Sequence, residues 1–249
     1  MEWIFLSPHF DDIALSCGGI AWEIVRAGEK VSVWTICAGE IPAGALSAFA
    51  QELHTRWQAG SHARELRQAE DAESCKIMGA ERLLFDIPDA VYRRNTNTGK
   101  HYYETSASIF GELHPEEQPL IASLSLALRQ SQSGNYRWVC PFTLGGHVDH
   151  QLTRRAVEQA VVENPHKEIW YYADYPYVLE NQEFFDELKR TGWLCNRYKI
   201  SEAGLQAWEE SIAAHTSQIS TFWQDRESLH KAIRQYANMP YGTCLWKKP

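Results

Sequence analysis

Three residues near the start of the chain have the types and spacing to hold a cation and move a proton. His9 and Asp12 stand three apart in Ser7-Pro8-His9-Phe10-Asp11-Asp12, with Asp11 between them. An imidazole and a carboxylate so spaced can reach one metal ion, which leaves Asp11 free for proton transfer. A second cluster lies far downstream, in Gly145-Gly146-His147-Val148-Asp149-His150. Each cluster alone has a bland explanation. Asp is common at helix N-caps, and His-x-x-His arises by chance. Their matching positions argue for more: each follows a short apolar run, residues 3–6 or 138–140, and each opens a helix-like run. Two strand-end clusters of this kind can meet at one site.

The elements around them must put both clusters at the same end of a sheet. Residues 13–27 carry Ile13, Ala14, Cys17, Ile20, Ala21, Ile24 and Val25 at helical spacing, with Gly28 as C-cap. Residues 31–37 alternate and are β-branched, so strand, helix and strand form a βαβ unit. A small-residue loop over 38–50, a polar helix over 61–78 closed by Gly79, and a strand over 83–85 lead into Asp86-Ile87-Pro88-Asp89. The basic, Tyr-bearing stretch 93–104 reads as a long loop or small hairpin near the site. Then come a helix over 119–132, a strand over 138–141, a helix over 149–163 and a strand over 169–173. A turn at Tyr175-Pro176-Tyr177, a helix over 180–190, an edge strand over 194–200, a helix from Ser201 and another over 217–237 complete the chain. His150 shares a stripe with Thr153, Val157 and Val161, so it starts a buried helix face. The positive end of the helix dipole there is expected to keep it neutral. Strands alternating with helices predict an open α/β sheet in one domain over 1–249, with 200–249 a helical segment packed on it. Such sheets bind ligands beyond the carboxyl ends of their strands.

At 249 residues, 44% hydrophobic and 22% charged, the chain can bury a sizeable core. A net charge of −8 argues against binding nucleic-acid phosphates. No apolar run is long enough to span a membrane, and the first residues enter a strand with no leader pattern. Six scattered cysteines without a CxxC pair point to a reducing, cytoplasmic compartment. His54, His62, His101, His114, His166, His215 and His230 lie in polar runs and are expected at the surface. Tyr92, Tyr175 and Tyr177 read first as packing residues, with room for one to border the site. No Gly-x-Ser-x-Gly elbow supports a serine nucleophile, Cys17 lies on an apolar stripe, and no Gly-rich phosphate loop is present.

Pro8-His9-Phe10-Asp11-Asp12, Leu15-Ser16-Cys17-Gly18-Gly19 and Gly146-His147-Val148-Asp149-His150 resemble the LmbE-like, GlcNAc-phosphatidylinositol de-N-acetylase (PIG-L) family. Lesser landmarks agree across roughly residues 1–180. The resemblance implies a Rossmann-like three-layer α/β sandwich with a mostly parallel sheet and a zinc-dependent N-deacetylase. It implies zinc held by His9, Asp12 and His150, a site that Fe²⁺ suits as well. It implies Asp11 as general base, His147 as second catalytic residue, Asp149 orienting His147, and Arg67 and Asp89 touching substrate. The partner so implied is an N-acetylated amino sugar or its conjugate, with self-association left open. Phe10 and Ile13 depart from the family's usual Pro and Glu, and Gly145 stands where some members carry a Tyr. An oxyanion-stabilising Tyr must therefore come from elsewhere or be missing. A metallohydrolase of another amide or ester is the alternative, and a metal-bearing binding protein without turnover is a third reading. The retained Asp11 argues against the third, because a structural metal has no use for it.

Overall fold

A strand covered on both faces must be apolar at odd and even positions alike, and β1 (Glu2–Ser7) is. Trp3 and Phe5 pack with Ile13, Ile20, Ile24 and Met78 on one side of the sheet. Ile4 and Leu6 join the other core with Leu124, Leu128, Trp138, Leu152 and Val157. The structure, a computed structural model, describes residues 1–57, 60–131, 134–162 and 168–249. After β1 come α1 (Asp12–Arg26), β2 (Lys30–Thr35), α2 (Ala48–Arg56), α3 (Ala63–Met78), β3 (Glu81–Leu84) and α4 (Ser106–Ile109). Then follow α5 (Gln118–Gln130), β4 (Tyr136–Pro141), α6 (Val148–Val162), β5 (Glu168–Tyr172), α7 (Gln182–Arg190) and β6 (Leu194–Arg197). The chain closes with α8 (Glu202–Ala213), α9 (Thr216–Phe222), α10 (Arg226–Asn238) and β7 (Cys244–Lys247).

The strands make one seven-stranded sheet in the order β3-β2-β1-β4-β5-β7-β6. The first five are parallel, and β7 runs antiparallel to both β5 and β6. This is the expected α/β sandwich: α1, α3 and α8 pack together, and α5 packs with α6. From β1 the chain goes outward through β2 to β3 and then returns to the other side of β1 as β4. The gap between the carboxyl ends of β1 and β4 is therefore the switch point of the sheet, where open α/β proteins form their crevice. Both His/Asp clusters sit there. Among the described residues no helix is long and apolar enough to cross a membrane.

The last fifty residues are not purely helical. β7 enters the sheet between β5 and β6, and it is too short and too aromatic to announce itself. The single helix expected over 217–237 is two, because Trp223 is extended and Asp225 starts α10 with a capping box to Ser228. α2 begins inside the expected loop, capped by Ser47. The helix over 149–163 ends at Val162, and Glu163 and His166 lie outside the described residues. His54 and His215 are buried, not at the surface. His54 pairs with the Tyr92 hydroxyl at 2.7 Å.

This segment clamps the helices that carry the site. Trp208 of α8 lies across Gly18 and Gly19 of α1, where a Cβ would come within 2.9 and 2.6 Å of its ring. Its Nε1 donates to the Ala14 carbonyl at 2.6 Å, one turn before Cys17, where α1 leaves helical geometry. Losing so buried a Trp would cost about 3–5 kcal/mol. Glu70 of α3 accepts from Thr216 Oγ1, Ser217 N and Ser217 Oγ at 2.6, 2.7 and 2.7 Å.

Candidate active site

β1 ends at Ser7, and a tight turn delivers His9, Asp11 and Asp12 before α1 begins. Ser7 Oγ donates to the His9 carbonyl at 2.5 Å, and the His9 N–H donates to Asp12 Oδ2 at 2.7 Å. Beyond β4, Gly146 takes a left-handed φ of 74° and turns the chain into α6, placing His150 in its first turn. The Asp12 carboxylate stands between two imidazoles. His9 Nδ1 lies 3.3 Å from Oδ2, and His150 Nε2 lies 3.3 Å from Oδ1. His9, Asp12 and His150 thus offer three ligand atoms within 4.8 Å of one another.

A second trio, His9, His147 and Asp149, is equally compact. Its carboxylate is already engaged. Fully buried Asp149 accepts from the Ala90 N–H at 3.0 Å, meets His9 Nε2 at 2.9 Å and is gripped by Arg93. Arg93 is itself buried and also holds Glu117. The first trio is the better cradle for a cation. There the outer nitrogen of each imidazole faces a buried carboxylate: His9 Nε2 faces Asp149, and His150 Nδ1 faces Asp174 at 2.6 Å. Such outer carboxylates orient ligand imidazoles and raise their basicity. Sequence reasoning gave Asp174 no role; its signals were a place just past β5 and membership of the landmark Tyr171-Tyr172-Ala173-Asp174-Tyr175-Pro176-Tyr177. It also left Arg93 in a polar loop. The Asp149 carboxylate bonds His9, while its backbone N–H, at 3.2 Å, is what reaches His147 Nδ1.

The buried charges here act strongly on one another. Burial opposes charge on His150, but Asp12 and Asp174 outweigh it and raise its pKa to about 10. In the metal-free protein, two carboxylates within 3.3 Å outweigh the helix dipole at His150. Burial likewise opposes charge on His9, yet Asp89, Asp12 and Asp149 hold it well above the usual imidazole range. Asp12 is pulled well below the carboxylate range by His150 and His9, against burial. His147 goes the other way, down to about 3, through burial and the neighbouring charge on His9.

Arg67 crosses from α3 to the same place. Its Nη2 donates to Asp11 Oδ1 at 3.2 Å, and its Nη1 lies 3.7 Å from Asp89 Oδ2. The guanidinium stacks 4.9 Å from the Trp57 ring centre and 5.8 Å from that of Phe10, so Phe10 in place of the family's Pro supplies a wall for Arg67. Above these residues opens a cavity of about 560 Å³. Its floor is His9, Asp11, Asp12, His147 and His150. Its outer walls are mixed: Phe49, Leu53 and Trp57 around α2, Ile109 and Phe110 at α4 and Phe222 on α9 stand among Glu52, Arg56, Glu104, Thr105 and Gln218. Tyr177 is half-buried in this wall, and burial together with Asp12, Asp174 and Asp11 pushes its phenol up to about 12. Every residue singled out from the sequence for chemistry is gathered here.

An open α/β sheet carries at its switch point a His–His–Asp cluster that could hold a metal ion, with a spare carboxylate beside it. The chain belongs to the PIG-L family, described as GlcNAc-PI de-N-acetylase, whose sequence profile matches residues 4–161. It is 28% identical over 210 residues to a 2'-N-acetylparomamine deacetylase of Niallia circulans, covering 77% of this chain and 71% of that protein. A 2'-N-acetylparomamine deacetylase of Streptomyces fradiae is 28% identical over 178 residues, covering 70% of this chain and 57% of that one. The fold is shared with the zinc-inhibited form of teicoplanin deacetylase Orf2, at a TM-score of 0.81 and 20% identity, covering 99% and 97% of the two chains.

Proposed function

We propose that this chain is a zinc-dependent hydrolase that removes the N-acetyl group from an amino sugar carried on a larger conjugate. The observation that carries this is the cluster itself: two imidazoles on one carboxylate, each backed by a buried carboxylate, with Asp11 at their side. His9, Asp12 and His150 would hold the ion, whose contribution when bound is Lewis acidity toward water and the amide carbonyl. Iron(II) suits the same donors.

Asp11 takes the proton of the attacking water. Arg67 occupies its Oδ1, which fixes the carboxylate and leaves the other oxygen to receive that proton. Asp11 then returns it to the departing nitrogen, so that acetate and a free amine leave. His147 serves as a neutral donor. The Asp149 N–H on its Nδ1 selects the tautomer with the proton on Nε2, which can donate to the carbonyl oxygen as that oxygen gains charge. Asp89 and Arg67 would bond sugar hydroxyls. A cavity of about 560 Å³ whose aromatic wall residues Phe49, Trp57, Phe110 and Phe222 stand beyond the cluster favours a conjugate over a free monosaccharide, which would leave those rings wet.

The test is acetate release by zinc-loaded protein from N-acetylglucosamine conjugates and from N-acetylated simple amines at equal concentration. Faster release from the conjugates is expected, with Asp89→Ala lowering kcat/KM by about 1.5–3 kcal/mol on the sugar. Equal rates on both classes would remove the sugar from the proposal and leave a general metalloamidase.

A further inference from the structure

Gly145 lies in the loop between β4 and α6, two residues before His147. A Cβ built on it would sit 2.6 Å from each of three carbons of the Tyr177 ring, Cδ2, Cε2 and Cζ. No side chain fits there while that ring is in place. The ring is not simply filling core. Tyr177 lines the active-site cavity, and among the described residues its hydroxyl has no hydrogen-bond partner. Phe110 fixes it from one side at 6.0 Å between ring centres and fixes His147 from another at 5.3 Å. One aromatic ring thus sets both the imidazole that faces the reacting carbonyl and a phenol beside it. The segment holding Tyr177 is tied down as well. Val178 N donates to Asp174 O at 2.9 Å, the Tyr175 N–H donates to Ser16 Oγ at 3.1 Å, and Asn181 Nδ2 donates to the Tyr177 carbonyl at 2.8 Å.

We propose that Tyr177 is a catalytic residue of this chain: its hydroxyl donates a hydrogen bond to the amide oxygen as that oxygen becomes an oxyanion, and Gly145 is glycine so that the ring can reach it. This rests on the amide hydrolysis proposed above. A phenol that lines the cavity with no side-chain partner costs little in the resting protein and gains most when charge develops opposite it. His147 Nε2 and Tyr177 Oη then serve the oxygen together. The second donor comes from the loop after β5, not from the loop before α6.

The experiment is a two-residue cycle on the zinc-loaded full chain. Tyr177→Phe keeps the ring, so a packing role predicts no change, whereas loss of an oxyanion donor lowers kcat by about 10²-fold with KM nearly constant. Gly145→Ala, which displaces the ring, should lower kcat comparably. In the Tyr177→Phe background it should add little, since the hydroxyl it disturbs is already gone. Metal content and Tm should be those of the parent in Tyr177→Phe. A calorimetric arm needs no turnover. Acetate, whose oxygens stand in for the oxyanion, should bind Tyr177→Phe about tenfold more weakly than the parent. Absence of any deacetylation by the parent would overturn the preceding section and leave the acetate comparison to judge Tyr177. Equal acetate affinity, a kcat within threefold of the parent, or losses that multiply independently in the double variant would each overturn the role of Tyr177.

Discussion

Asp174→Ala is expected to weaken metal binding without touching a metal ligand. Asp174 is 1% exposed, and its Oδ1 lies 2.6 Å from His150 Nδ1. It does two things for His150: it sets the ring so that Nε2 faces Asp12, and its charge raises the ring's basicity. Loss of such an outer partner costs about 10–100-fold in metal affinity, which is about 1.4–2.8 kcal/mol. The net value of a buried hydrogen bond to a charged group, about 1.5–3 kcal/mol, falls in the same range. Asp174→Asn keeps the shape and one acceptor oxygen but loses the charge, so it should fall between Ala and the parent. Zinc competition against a chromogenic chelator at fixed pH reads both constants, and thermal melts of the metal-free proteins control for folding. If Asp174→Ala binds zinc within twofold of the parent, the outer carboxylate has no hold on His150.

Four further outcomes are expected. Asp11→Asn should retain the metal and lose roughly 10²–10⁴ in kcat, because the amide cannot accept the water proton; metal depletion in this variant would instead make Asp11 a ligand. Zinc affinity should rise with pH, because metal must expel protons from His9 and from His150, whose pKa of about 10 exceeds the ordinary 6.5. For the same reason the metal-free protein should hold His150's contribution to stability in full below about pH 6.5 and lose it as pH climbs through about 10, and saturating zinc should flatten that slope; urea titrations at pH 6.5, 8 and 9.5 with no downward trend would refute this. Arg93→Ala takes the one guanidinium from buried Asp149 and Glu117, so a loss of about 3–5 kcal/mol in chemical denaturation is expected, and a loss under about 1 would show that the pairs contribute little.

The parts of the protein legible in its sequence are those governed by local pattern. The 3.6-residue spacing from Ile13 to Val25 specified α1, and Gly79, at φ 73°, ended α3 where expected. Two strand-end His/Asp motifs were enough to foresee one shared site. What escaped was set by partners distant in sequence. Asp174 becomes meaningful only when β5 lies beside β4 and aims it at His150. Arg93 read only as the start of a polar loop near the site, and its role appears once Asp149 and Glu117 close round it. His215 sits in a polar run yet is buried by its neighbours in the fold. β7 carries no alternation to betray it and is a strand because β5 and β6 leave a slot for it.

That slot has a consequence in time. β6 has one ladder neighbour, β7, and three helices are made between them. A chain emerging from the ribosome must therefore carry β6 unpaired, and β5 with a bare edge at Tyr171 and Tyr172, until Cys244–Lys247 arrives. Asp174 lies two residues past that edge. His9, Asp12 and His150 can be in place while the strand leading to their outer carboxylate still lacks its second neighbour. Completion of the site is thus coupled to β7, and a nascent chain stalled before Cys244 exposes a sticky edge and an unfinished His–His–Asp cluster together.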